Sequence, residues 1–143
     1  MSNKFSDEPA KLMRRQLSSA ASTAGKALQS VKAERGEDGQ LYYVTAAGRS
    51  TEVPSEYVAL RASVMAAAET ATQQDAAEVE VVQAETVQGI TSVLENFSGS
   101  DADVAKACAR TLTKLSSNTQ NVGVIAQAGG IRAVIKAIQS QPD

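Results

Sequence analysis

Three cations at a four-residue spacing, Lys106, Arg110 and Lys114, are the most suggestive chemistry in the chain. On a helix this spacing lays them along one stripe, which suits an acidic ligand such as an extended acidic peptide or tail. A solvated helix face accounts for the same pattern. Cys108 falls between Lys106 and Arg110, where nearby positive charge lowers a thiol pKa. It also shares the period of Val104 and Leu112, which makes it a small core residue. Asp101 and Asp103 stand two apart, as metal ligands can, and equally well as the cap of a helix. Gly129-Gly130 has no strand before it and no Gly-Lys-Ser/Thr after it, so it is a corner rather than a phosphate loop. The chain contains no His, which excludes His-ligated zinc and any Ser-His or Cys-His pair. Its single Cys excludes an internal disulfide and a Cys-based metal cluster. A Lys or carboxylate mechanism has no cluster to support it. The chain is therefore expected to be no enzyme, with no catalytic residues, no cofactor and no metal.

The elements that must position these residues follow from composition. Of 143 residues 43% are hydrophobic but only 3% aromatic, and Ala makes up much of the apolar share. Short side chains suit closely packed helices, and Ala is the best helix former, so an all-α chain is expected. The net charge is −2, which predicts no global attraction to nucleic acid. Its distribution is uneven: residues 1–36 are net basic, 37–100 strongly acidic and 101–143 basic again. No run of 18 apolar residues occurs, so no membrane span is expected. A single unpaired thiol fits a reducing, intracellular compartment.

Four segments are expected. Residues 1–35 form a basic, Ser/Ala-rich helix or arm. Ser6-Asp7-Glu8-Pro9 reads as its start, and Met13, Leu17, Ala20, Ala24, Leu28 and Val31 draw one narrow face. Residues 36–54 form a β-hairpin, with strands at Leu41–Thr45 and Ser50–Val53 around Ala46-Ala-Gly48. This hairpin, at 40–53, resembles the first hairpin of a WW domain, with a Tyr-Tyr pair before a turn. Both signature Trp are missing, so the resemblance implies no proline-peptide groove. Residues 55–75 form a connecting helix. From Ala76 a further helix is expected, although Glu and Val alternate from 78 to 82 as in a strand.

The second half repeats itself. Gly89-Ile-Thr-Ser-Val-Leu-Glu-Asn-Phe97 aligns with Gly130-Ile-Arg-Ala-Val-Ile-Lys-Ala-Ile138, 41 residues later. The matched positions, Ile90 with Ile131, Val93 with Val134, Leu94 with Ile135 and Phe97 with Ile138, share one helix face. A period of this length built from helices is a mark of stacked helical repeats. Asn121–Ile138 resembles the first two helices of an armadillo repeat, with an Ala-Gly corner between them. Ser100–Ser116 resembles its third helix, with Asp101 or Asp103 at the start and Val104, Cys108, Leu112 and Leu115 inside. The resemblance covers residues 78–143, about one and a half repeats, and implies an N-terminal piece of an armadillo-type helical solenoid over 76–143, the last repeat incomplete. It implies one continuous core of Val93, Leu94, Phe97, Val104, Leu112, Leu115, Ile125, Ile131, Val134 and Ile135, with Ile138 at an uncovered edge. A missing layer would come from a longer parent chain or from a partner.

In armadillo repeats that bind nuclear-localisation peptides, the third helix carries Trp and, four residues on, Asn. The matching positions here are Arg110 and Lys114, so capture of a basic peptide is not implied. The resemblance makes Lys106, Arg110 and Lys114 the groove-facing, partner-binding candidates. It implies a non-enzymatic protein-protein interaction scaffold within a larger complex. Gly-Gly corners and an Ala-rich build are similar to armadillo proteins of protist cytoskeletal and ciliary assemblies, in the cytoplasm or cytoskeleton. The alternative is a structural subunit of a large organellar, mitochondrial assembly. There the basic N-terminal segment would serve as a targeting sequence or an arm.

Overall fold

The computed structural model describes the backbone of residues 4–140 and the side chains of residues 11–136, 138 and 139. The side chains of the Ser6–Pro9 helix start and residues 141–143 lie outside the described residues. Helix α1 (Lys4–Ser30) is followed by strands β1 (Lys32–Arg35), β2 (Leu41–Thr45) and β3 (Gly48–Ser50). Helices α2 (Ser55–Gln73), α3 (Ala84–Phe97), α4 (Ala102–Leu115), α5 (Thr119–Gln127) and α6 (Gly130–Ser140) complete the chain. The described residues are thus mostly helical, with one small sheet.

Helix α1 buries Met13, Leu17, Ala20, Ala24 and Ala27, with Val31 just beyond its end. The steps of three and four follow one helix face, and Ala27 takes the place expected for Leu28, which is only partly buried. A face of Ala permits close approach. A Cβ placed on Gly89 of α3 would lie 2.8 Å from the Ala21 Cβ and 3.0 Å from the Ala21 Cα. Only Gly lets α3 sit this near α1.

The expectation of a two-stranded hairpin and a purely helical remainder needs correction. The sheet is a three-stranded antiparallel meander in the order β1-β2-β3, with Ala33 opposite Tyr43 and Tyr43 opposite Ser50. The segment assigned to the first helix ends at Ser30. Lys32–Arg35 is a strand because β2 supplies its hydrogen-bonding partner, which outweighs local helix propensity. The return strand also starts earlier than expected, at Gly48, whose φ of +117° shapes the tight Ala46-Ala47 turn. Tyr43 carries the sheet into the core. Its ring centroid lies 5.4 Å from that of Tyr57 on α2, which lies 4.8 Å from that of Phe97 on α3.

The helix expected from Ala76 is also corrected. Ala76–Glu78 is a 3₁₀ turn capped by the Asp75 side chain. Val79–Gln83 is then extended, and α3 begins only at Ala84. Side chains of α5 hold this segment: Asn118 Nδ2 donates to Val79 O, and Asn121 Nδ2 to Glu80 O, each at 2.9 Å. Asn121 Oδ1 accepts from Val82 N–H at 2.9 Å. The alternating Glu and Val residues follow an extended path without joining a sheet.

The helices pair in a regular way. Helix α1 packs on α2, and α3 on α4; between pairs, α1 packs on α3 and α2 on α4. Helix α6 in turn packs on α3. The series α1, α3, α6 therefore has three members, whereas the series α2, α4 has two.

Candidate partner-binding surfaces

Helix α4 carries the basic stripe and is fixed by its buried face and its N-cap. Val104, Cys108, Leu112 and Leu115 are all buried. Asp101 is its N-cap: Oδ1 accepts from Val104 N–H at 3.1 Å. The same carboxylate ties α4 to α2, because Oδ2 accepts from the Tyr57 hydroxyl at 2.8 Å and from Arg61 Nε at 3.2 Å. Arg61 Nη2 also donates to Asp103 Oδ2 at 3.2 Å. Both aspartates are thus occupied in capping and pairing. Burial, and then the hydrogen bond to Asp101, raise the Tyr57 hydroxyl well above the ordinary range of a phenol.

Cys108 is fully buried. Burial, and secondarily the Asp101 charge, push its thiol up to about 12. The lysine and arginine beside it in sequence do not produce a thiolate, and the core reading of this residue holds. Among the described residues, no three His, Cys, Asp or Glu side chains converge as metal ligands. No helix among them is long and apolar enough to cross a membrane.

The stripe divides. Lys106 and Arg110 are exposed and border a groove of about 470 Å³ between α2 and α4. Met65, Glu69 and Thr72 form its opposite wall, so the groove is mixed in charge rather than uniformly basic. Lys114 is half-buried, and its amine donates to Gln74 O at 2.6 Å. It completes the C-terminal end of α2, where carbonyls lack helical partners and cations are favoured. Lys106 and Arg110 remain available to a ligand; Lys114 is engaged within the fold.

The corner between α5 and α6 is built as its sequence indicated. Gly129 has φ +82°, in the left-handed region where a Cβ is strained. A Cβ on Gly130 would come 2.5 Å from Ile125 Cγ2 and 3.0 Å from Ile125 O. The first Gly makes the turn and the second lets α6 start against α5.

Beyond this corner lies a surface that the repeat register placed in the core. Ile131 is 54% exposed, Ile135 51% and Ile138 68%, and Val134 is only partly buried. The continuous core expected for this segment therefore stops short: Ile131 and Ile135 lie outside it. Their counterparts Ile90, Leu94 and Phe97 on α3 are buried, because α1 and α4 pack on that helix. Helix α6 packs on α3 and α5, and among the described residues no helix covers its Ile131–Ile135 face as α4 covers α3. What remains there is a hollow of about 420 Å³, lined by Leu112 and Thr113 of α4, Val122 and Ile125 of α5, and Ile131 and Ile135 of α6.

Asn118 and Asn121 were not singled out in the sequence. Asn118 carried a usable signal, since Asn directly before a helical segment marks an N-cap; its Oδ1 accepts from Gln120 N–H at 3.0 Å. Asn121 carried none, because a fully buried Asn is recognised only once its three backbone partners are in place. Comparison of the chain with protein families, with curated proteins and with solved structures gave no match.

Proposed function

We propose that this chain is a non-enzymatic protein-binding scaffold made of stacked helix pairs of the armadillo type, docking its partner on the α4–α5–α6 face. The observation that carries the reading is the isoleucine stripe of α6. Its matched residues on α3 are covered by neighbouring helices, yet Ile131, Ile135 and Ile138 are more than half exposed. Large apolar side chains grouped on one helix face cost solubility and mark interaction surfaces. Stacked repeats expose extended surfaces of this kind without a catalytic constellation. The armadillo resemblance alone supports a cytoskeletal or ciliary assembly as the setting, within the cytoplasm.

The organellar alternative used residues 1–35 as a cleavable or free basic arm. Helix α1 instead contributes Met13, Leu17, Ala20, Ala24 and Ala27 to the core, so its removal would strip the first layer from α2 and α3. This geometry favours the scaffold.

The test is sedimentation in extracts of the native cells. The scaffold reading expects a species well above the 14.9 kDa of the chain, at concentrations where the purified protein is a monomer. Ile131→Glu with Ile135→Glu should return it to monomer mass while helicity is retained. A wild-type chain that sediments as a monomer, or a folded double variant that stays in the large species, would sink the proposal.

A further inference from the structure

We draw no further inference here: the strongest candidate, the aliphatic hollow of about 420 Å³ between α4, α5 and α6, is an unpartnered apolar face, and nothing in the structure shows what covers it.

Discussion

Replacing Asn121 by Ala should cost about 3–4 kcal/mol, a large loss for a residue far from any charge cluster. Its side chain is fully buried and makes three hydrogen bonds of 2.9 Å, accepting from Val82 N–H and donating to Glu80 O and Leu115 O. A typical intramolecular hydrogen bond contributes about 1 kcal/mol net, and a buried group left unpaired costs about 1–3 kcal/mol. The Leu115 carbonyl is the most enclosed partner and carries the upper value, while water can reach the 79–82 backbone. A domain of this size is stable by about 5–15 kcal/mol, so urea unfolding followed by circular dichroism should show a clearly lowered midpoint. The amide of Val82 should lose protection from hydrogen exchange, which localises the effect to the extended segment. Asn121→Asp keeps an acceptor for Val82 N–H but turns a carboxylate toward two carbonyls, and should be no more stable than the Ala variant at neutral pH. A loss below about 1 kcal/mol for Asn121→Ala, with an unchanged denaturant slope, would refute the view that this side chain holds the segment.

Gly89→Ala should destabilise by about 1–2 kcal/mol, since overpacking against Ala21 outweighs the gain in helix propensity. Gly25→Ala has no atom within 4 Å of the added Cβ and should stabilise by about 0.5–1 kcal/mol; urea midpoints of the two variants should move in opposite directions. Alkaline stability should depend on Cys108 and Tyr57, both held neutral with raised values, Cys108 from 9.0 to about 12. The unfolded chain releases these protons first, so the contribution is complete below about pH 9, falls as pH rises toward 12, and costs up to about 1.4 kcal/mol per unit per group. Cys108→Ala should flatten that decline in a series of thermal midpoints, and an unchanged slope would count against the burial argument. Tyr57→Phe should cost about 1–2 kcal/mol by removing the donor to Asp101 while helicity is preserved.

Local order was legible wherever a residue's role depends on its own helix. The period of Val104, Cys108, Leu112 and Leu115 fixed the buried face of α4, and the Gly129-Gly130 pair marked the corner. What escaped depends on neighbours remote in sequence. Lys-Ala-Glu-Arg at 32–35 has helix-forming composition, and only its pairing with Leu41–Val44 makes it a strand. Val79–Gln83 looked helical or strand-like according to the window chosen, because its backbone partners are asparagines some 39 residues away. Lys114 read as one more exposed cation, since its reach to Gln74 O depends on where α2 ends. The periodicity of Ile131 and Ile135 correctly indicated an apolar face. It could not say whether anything packs on that face, because burial belongs to the assembly of elements.

The two ends of the helix array are finished differently, and this difference bears on function. At the α1 end, the exposed described side chains are mostly polar: Lys11, Arg14, Arg15, Ser18, Ser19, Ser22, Lys26 and Gln29, with Leu12 as the apolar exception. Terminal units of stacked-repeat proteins need such a polar outer face. Helix α6 does the reverse, exposing Ile131, Ile135 and Ile138 beside Arg132 and Lys136. Its sequence repeats that of α3, an interior helix, rather than that of an end. An interior-type apolar face is unfavourable against water and favourable against a covering partner. The α1 face is therefore suited to water, and the α6 face to the binding partner proposed above.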